Sequence, residues 1–466
     1  MTPRTAPVEP TTLRPLAFSA WRAHATAAGC LGRHYDAGGD TRLACLRFDP
    51  SPAADRLWEL LLSEEDRLAA DRRTGRKIVG TMKDLGTVPV LASAFPELRA
   101  FYPDGAWWTP CLMQNGDGLL ATADRHGLDD SFCPVRAMFG AFVSGDRFPI
   151  PDLLTCSVGA VCDDFSAIAQ RVETLGHRIL WWEAPYRRAP APGEETVKLP
   201  GGLLAPASQR DVVRAEMARL RDAFAALAGR PASDALIAEA IRHANAIRQI
   251  LRDLRNAVFL ARRAPLPALE LLIAEMLIIH YCSDREATAT ILADLLAQVH
   301  GRVAADAGYG STADVKVFWV NPTADLRCMT ILEDVGARLC GTDFLFTHAL
   351  DPIPELPDPL DALARTALAD PMTGPARGRA ARIVADMRAF GAEALVVSRI
   401  PGASHCAHEG AAIIAHVADA LGVPGIEIEI PGRTESFEPT LRTRLEALVE
   451  TARSRRTIQP HSTNPT

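Results

Sequence analysis

The same pattern of strand, cysteine, helix and strand occurs twice in this chain. The first copy covers residues 152–185 (DLLTCSVGAVCDDFSAIAQRVETLGHRILWWEAP), and the second covers residues 393–431 (EALVVSRIPGASHCAHEGAAIIAHVADALGVPGIEIEIP). In each copy an apolar strand runs into a loop that holds a cysteine, and an acidic residue, an Ala- and Ile-rich helix and a second strand follow. Alternation of strands and helices predicts parallel sheets with helices on their faces. We therefore expect two related α/β domains.

Cys162 and Cys406 occupy matched places in the two copies. Cys162 precedes Pro185 by 23 positions, and Cys406 precedes Pro431 by 25. Ligands of open parallel sheets collect outside the carboxyl ends of the strands, so both thiols are expected at rims where two domains enclose a site. The alternative stays open that βαβ units look alike in any α/β protein and that each cysteine is only a small apolar residue.

Short apolar runs begin at Lys77, and a long stretch with helical spacing of apolar residues separates them from a second set that restarts at Val315. We predict five regions: an N-terminal extension with helices (1–69), a first α/β domain (70–200), a helical segment (201–307), a second α/β domain (308–455) and a loose tail (456–466).

Composition excludes several classes of protein. The chain has 466 residues and a formal net charge of −7, with acidic and basic residues mixed throughout, so no basic stripe suits nucleic acid. No apolar run approaches the ~20 residues of a membrane span, and the N-terminus lacks the apolar core of a signal peptide. We expect a cytoplasmic protein without a membrane partner. Its ten cysteines are then expected as reduced thiols, and the absence of any CxxC pair excludes a zinc ribbon.

Further segments fit into the same order. The stretch SFCPVRAMFGA (131–141) contains Cys133 ahead of a helix, a Pro-Asp-Leu strand start (151–153) leads to Cys162, and the second domain begins with VKVFWVNPTADL (315–326). Together with the two copies and the Arg379-x-x-Arg382 helix start, these motifs resemble the 2-hydroxyacyl-CoA dehydratase and benzoyl-CoA reductase family of iron–sulfur proteins. The likeness runs from about Lys77 to Pro431.

The resemblance implies two related parallel-sheet domains, Rossmann-like or flavodoxin-like, plus a helical segment, with a [4Fe-4S] cluster between the domains. By position the cluster ligands are Cys133, Cys162 and Cys406. Thiolates are the usual ligands of such clusters, and three of them leave one iron open to a substrate oxygen, which it can polarise.

The activity implied by the resemblance concerns acyl-CoA thioesters. Family members either dehydrate 2-hydroxyacyl-CoA through a one-electron ketyl radical or reduce an aromatic ring, and they depend on a homologous second subunit and a separate ATP-dependent iron–sulfur activator. The chain has no GxxxxGK[ST] phosphate loop of its own, which agrees with ATP use by a separate protein. Two alternatives stay open: a non-catalytic partner subunit with buried cysteines, and a family member with another iron–sulfur cluster that reduces a different small molecule.

One departure from the family pattern leaves a ligand choice open. Many members carry Thr-Thr-Cys-Asp-Gly-Lys where this chain has residues 159–164, and the interval from Asp152 to Cys162 is about two positions longer here. Cys156 is therefore a competitor for Cys162.

The residues next to the cysteines allow other chemistry. His405 and His408 on either side of Cys406 suggest a zinc site or a thiol nucleophile with a histidine base, because a helix N-terminus lowers a thiol pKa. Asp163, Asp164 and Glu409 are expected as helix caps, and a role as general acid or base is the alternative.

Three arginines and two tryptophans are the remaining candidates for substrate contacts. Arg136, Arg187 and Arg188 are candidate ligands for the phosphates of coenzyme A. Trp181 and Trp182 alternate within a strand, and we expect them to pack in the core or at an interface rather than to form an acyl pocket.

Overall fold

The structure is a computed structural model, and it describes residues 11–25, 46–84, 86–106, 117–159, 162–403, 408–431 and 437–458. None of the helices in these ranges has the length and apolarity needed to cross a bilayer.

The N-terminal region packs small elements against the helical segment. Ser51 is the N-cap of the helix Pro52–Leu62 and accepts a hydrogen bond from the Ala54 N–H. The rings of Trp21 and Phe48 stack with their centroids 4.5 Å apart. Its elements are β1 (Leu16–Ala17), α1 (Phe18–Arg22), β2 (Arg47–Phe48), α2 (Pro52–Leu62) and α3 (Glu64–Arg73).

The first α/β unit is a four-stranded parallel sheet. Its elements are β3 (Lys77–Met82), α4 (Val88–Ala92), β4 (Leu98–Phe101), α5 (Asp117–Arg125), α6 (Ala137–Ser144), β5 (Leu153–Gly159), α7 (Asp163–Glu173) and β6 (Ile179–Ala184). The spatial order of the strands is β4-β3-β5-β6, and a 3-10 helix at Pro134–Arg136 leads directly into α6.

A short antiparallel hairpin connects this sheet to four long helices. The elements are β7 (Thr196–Lys198), β8 (Leu204–Pro206), α8 (Ala207–Ala228), α9 (Asp234–Leu260), α10 (Ala268–His280) and α11 (Arg285–Ala304). Pro265 and Pro267 lie in the break before α10, where a ring without an N–H cannot continue a helix. Every residue of α10 is buried, and this agrees with its apolar residues on all sides, among which Glu270, Glu275 and His280 are the polar ones.

The second α/β unit repeats the first. Its elements are β9 (Val315–Val320), α12 (Arg327–Asp334), β10 (Ala337–Asp343), α13 (Pro359–Ala369), α14 (Ala376–Phe390), β11 (Ala394–Arg399), α15 (Gly410–Leu421), β12 (Gly425–Glu429) and α16 (Glu438–Ile458). The strand order is β10-β9-β11-β12, and all pairs are parallel.

Both sheets therefore have the order second, first, third, fourth strand, which is that of flavodoxin-like folds. The predicted fold class, two related parallel-sheet domains with a helical segment, is confirmed. The units containing Cys162 and Cys406 connect the third strand to the fourth in each sheet. The residue limits of the domains stay predictions.

Candidate functional site

A cleft lies between the carboxyl ends of the two sheets. It encloses about 520 Å³, its open mouth included. Lys83, Ser157, Trp182 and Ala184 at the ends of β3, β5 and β6 form one wall. The other wall comes from the segment after β10, and it consists mainly of His348, Asp351, Thr366, Asp370 and Thr373. This is the place where open α/β sheets bind their ligands.

The first strand of each sheet ends in the same unusual backbone. Lys83 follows β3 with φ 56°, and Asn321 follows β9 with φ 66°. A serine of the third strand secures each turn: Ser157 Oγ donates to the Lys83 carbonyl at 2.6 Å, and Ser398 Oγ donates to the Asn321 carbonyl at 2.9 Å. A left-handed backbone costs a side-chain-bearing residue roughly 1–2 kcal/mol and is often found at functional sites. The two turns are therefore equivalent parts of one duplicated design.

Lys83 brings a buried ammonium group to the cleft. Its Nζ donates to Ser166 Oγ at 2.9 Å, in the first turn of α7. Burial lowers the pKa of Lys83, and the neighbouring thiols Cys156 and Cys162 act in the opposite direction through their charge when ionised. A cation thus lies beside the thiols of the first domain.

Cys162 is the N-cap residue of α7 and is partly exposed. Burial raises the pKa of its thiol, while the N–H groups of Phe165 and Asp164 favour the thiolate. Asp163 and Asp164 lie in the first turn of α7, as predicted for residues that complement a helix N-terminus.

Cys133 holds the corresponding position at the 3-10 helix Pro134–Arg136, of which it is the N-cap. That short helix packs against α7, so the segments that carry Cys133 and Cys162 are neighbours. Arg136 donates to the Phe132 carbonyl at 3.1 Å and to Asp124 at 3.3 Å. Its guanidinium therefore holds the Cys133 turn together, and its role as a ligand for coenzyme A phosphates stays a prediction.

Cys406 and His405 lie outside the described residues, and the zinc and thiol-nucleophile hypotheses that depend on them therefore stay predictions. The chain just before them is described. Gly402 has φ +77°, and a Cβ at this position would lie 2.6 Å from the Phe132 carbonyl oxygen. The chain that leads to Cys406 therefore contacts the residue that precedes Cys133.

Glu409, just after Cys406, makes no capping hydrogen bond for α15. Its carboxylate accepts a hydrogen bond from the buried Arg379 at 3.0 Å. Arg379 also donates to Asp343 at 2.7 Å and to Asn321 at 2.7 Å. One arginine thus joins the ends of β9 and β10 to the chain that follows Cys406.

Cys156 occupies a different kind of position. It lies within β5 opposite Met82, is fully buried, and its Sγ is 3.5 Å from the Ser157 carbonyl oxygen. Burial raises its pKa to about 12. In the second sheet the same register position belongs to Val397, opposite Val320. Cys156 therefore corresponds to an apolar core residue, whereas Cys162 lies beyond the strand.

The residues fit a thiolate-bound cluster in the parts that are described. Two partly exposed thiols lie at the N-cap positions of neighbouring helices, the N–H groups of the first turn of α7 favour an anionic group at Cys162, and the ammonium of Lys83 is nearby. No group of three or more His, Cys, Asp or Glu residues assembles as a metal site within the described ranges. Those ranges omit Cys406, so the set of three thiols is not covered by that finding.

His348 forms a buried charged group in the opposite wall. Its Nε2 lies 2.8 Å from Asp343 Oδ1, and its Nδ1 lies 3.2 Å from Asp370 Oδ1. Burial opposes a positive charge on the imidazole, but the two carboxylates outweigh it and raise the pKa of His348. Sequence reasoning missed this group, because Asp370 is 22 residues away from His348 and no local motif joins them.

Arg187 joins the two walls. Its side chain donates to the carbonyl of Leu368, to the carbonyl of Asp370 at 3.2 Å and to Thr373 Oγ1 at 3.4 Å, and its backbone N–H donates to the Thr373 carbonyl. The side-chain bonds engage Nη1 of the guanidinium and tie Arg187 to the facing wall. Arg188 makes a surface ion pair with Glu194.

Fold and site together define an α/β protein with two parallel sheets, a cleft between their carboxyl ends, and a buried cation in the cleft wall that neighbours thiols of the first sheet unit. The family model described as 2-hydroxyglutaryl-CoA dehydratase, D-component, matches residues 91–452, which is most of the chain. The chain belongs to this family, as the sequence motifs predicted. A comparison with curated proteins gave no match.

Proposed function

We propose that this chain is the iron–sulfur subunit of a radical enzyme that acts on acyl-CoA thioesters, with Cys133, Cys162 and Cys406 as ligands of a [4Fe-4S] cluster at the cleft. Family membership supports an enzyme component of the dehydratase type. The observation that carries the ligand set is the contact between Gly402 and Phe132, since it joins the chain leading to Cys406 to the turn of Cys133.

The chain's own residues have definite tasks in this proposal. A bound cluster supplies an electron of low potential and an iron with an open position for a substrate oxygen. The first turn of α7 offers N–H groups to an anionic group, and Lys83 adds a positive charge. Burial of Lys83 strengthens the interaction of its ammonium group with an anion.

The lining of the cleft favours dehydration of a 2-hydroxyacyl-CoA over reduction of an aromatic ring. Lys83, Ser157, Thr366, His348 and Asp370 bring polar groups to the cavity, whereas an aromatic acyl group needs a mainly apolar pocket. Because the sequence contains no phosphate loop, we propose that a separate ATP-dependent iron–sulfur activator delivers the electron. A homologous second subunit completes the enzyme, and the complex works in the cytoplasm.

Iron and acid-labile sulfide per chain test this proposal after strictly anaerobic purification. We expect about four of each in the wild-type protein. Cys133→Ala, Cys162→Ala and Cys406→Ala should lose most of the iron, and Cys156→Ala should keep it. Cys340→Ala, which changes a buried thiol of β10 in the core of the second sheet, is the matched control for loss of a cysteine.

Each outcome separates the hypotheses. If Cys156→Ala loses the iron and Cys162→Ala keeps it, Cys156 is the cluster ligand in place of Cys162. Protein that stays iron-free after anaerobic reconstitution, and is stable in air, would overturn the cluster and favour a non-catalytic partner subunit.

A further inference from the structure

Trp182 carries a buried hydrogen-bond donor without an acceptor in the described part of the protein. Its side chain is only 3% exposed, and its indole Nε1 is buried and unpartnered. Buried polar groups in native proteins nearly always have a partner, and buried tryptophans usually place their N–H on an acceptor. An unpartnered N–H beside a cleft therefore indicates a partner that is not part of the chain.

Other tryptophans of this protein follow the rule. Trp58 donates to Glu270 at 3.2 Å, and Trp319 donates to Ser398 Oγ at 2.9 Å. Trp181, the neighbour of Trp182 on β6, donates to Glu173 at 3.4 Å. The lack of an acceptor is thus a property of the position of Trp182 in the cleft wall.

The carboxylates of the cleft already have other partners. Asp84 accepts hydrogen bonds from the N–H groups of the turn that follows it, and Asp351 pairs with Arg382 at 2.7 Å. Asp370 accepts from His348 and from the backbone N–H of the next turn. None of these interactions involves Trp182, so the described carboxylates of the cleft do not serve as the acceptor of its indole.

The neighbours of Trp182 are donors as well. Ser157 lies opposite Trp182 in the register of β5 and β6 and turns its hydroxyl to the Lys83 carbonyl, while the Lys83 ammonium lies in the same wall. This wall presents an indole N–H and an ammonium group, while the hydroxyl of its serine is already bonded to a backbone carbonyl. Such a wall suits a ligand that presents an oxygen acceptor.

We propose that Trp182 is a substrate-binding residue, whose indole N–H donates to the hydroxyl oxygen of a short hydroxyacyl group in the cleft. This inference rests on the proposed action on acyl-CoA thioesters and deepens it. The residue lets the protein distinguish a hydroxyacyl group from the same acyl group without its oxygen, since only the former satisfies the buried donor.

Binding of two probes that differ in a single oxygen tests the role of Trp182. Calorimetric titrations of anaerobic protein with 2-hydroxybutyryl-CoA and with butyryl-CoA give the ratio of the two dissociation constants. We expect the wild-type protein to bind the hydroxylated probe about fivefold more tightly, the effect of one hydrogen bond. Trp182→Phe keeps an aromatic ring and removes the N–H, so its ratio should fall to about one.

Trp181→Phe is the matched control. It removes an indole N–H from the adjacent residue of the same strand, where the acceptor is Glu173 and not a ligand. We expect this variant to keep the wild-type ratio. Melting temperatures of both variants monitor folding, and if Trp182→Phe folds poorly, the ¹⁵N indole resonance of Trp182 in the wild-type protein should move on addition of 2-hydroxybutyryl-CoA and not of butyryl-CoA.

The outcomes distinguish this inference from the proposed function. Equal binding of both probes by the wild-type protein, or a ratio that survives in Trp182→Phe, would overturn the role of Trp182 and leave the acyl-CoA function standing. If neither probe binds to the wild-type protein, the proposed function itself fails, and the role of Trp182 fails with it.

Discussion

Replacement of Gly402 by alanine tests whether the close contact between the chain before Cys406 and the Cys133 turn holds the candidate site together. Two costs add at this position. Gly402 has φ +77°, and a left-handed backbone costs an alanine about 1 kcal/mol. The new Cβ would also lie 2.6 Å from the Phe132 carbonyl oxygen, a backbone atom, so no side-chain rotation can relieve the clash.

The second cost follows from the overlap. Carbon and carbonyl oxygen normally approach to about 3.3 Å, so one of the two segments must move by roughly 0.7 Å. Forced packing of this kind costs typically 1–3 kcal/mol. We therefore expect Gly402→Ala to lower the free energy of unfolding by about 2–4 kcal/mol and to reduce the bound iron by half or more.

Gly229→Ala separates the two costs. Gly229 ends α8 with φ +76°, almost the same backbone, but a Cβ there would meet no atom within 4 Å. It should lose about 1 kcal/mol and keep its iron. Urea unfolding followed by circular dichroism, with iron analysis on the same anaerobic samples, gives both quantities. Equal destabilisation of the two variants together with full iron in Gly402→Ala would refute the argument that this contact supports the cluster.

Three further predictions concern buried polar groups. Burial raises the pKa of Glu270 to about 8, so the folded protein keeps a proton that the unfolded chain loses near pH 4.5. The free energy of unfolding should therefore fall as pH rises between these two values, by about 3 kcal/mol at pH 7. Glu270→Gln should flatten this fall in urea midpoints measured from pH 5 to 8.5. The pKa of His348 is also raised, so its ion pairs with Asp343 and Asp370 stabilise the protein fully below about pH 6.5 and are lost as pH rises through the folded pKa. His348→Gln should remove that part of the pH dependence of stability. An unchanged dependence of the urea midpoint on pH would contradict the assignment of these ion pairs. Ser398→Ala removes a hydroxyl whose single proton lies within reach of three backbone carbonyls and whose oxygen accepts from the Trp319 indole. Thermal or urea unfolding should show a loss of about 1–3 kcal/mol, whereas a neutral result would show that the turn at the end of β9 needs no such support.

The repeated part of the fold could be predicted from sequence, because each repeat carries its own local signal. The apolar run Val315–Val320 is a strand with the predicted limits, and the loops of Cys162 and Cys406 follow the third strands of two sheets with one strand order. The choice between Cys156 and Cys162 needed the register of the strands. Only the pairing of Cys156 with Met82 shows that its counterpart in the second sheet is an apolar residue.

Other parts of the site carry no local signal. The partners of Arg187 are mostly backbone carbonyls more than 180 residues away, and any sequence offers carbonyls. Trp182 is buried, as its expected packing role requires, but its proposed role in binding depends on its indole N–H, which has no acceptor among the described residues. The sequence can reveal which groups are present, but not which of them the folded chain leaves without a partner.

The attachment of Arg187 to the turn at residues 368–373 has a consequence for how molecules reach the cleft. Four hydrogen bonds from one residue pin the edge of the first sheet to the facing wall. A wide hinge motion between the two sheets would have to break all four bonds together, so these bonds hold the two walls of the cleft at a fixed separation.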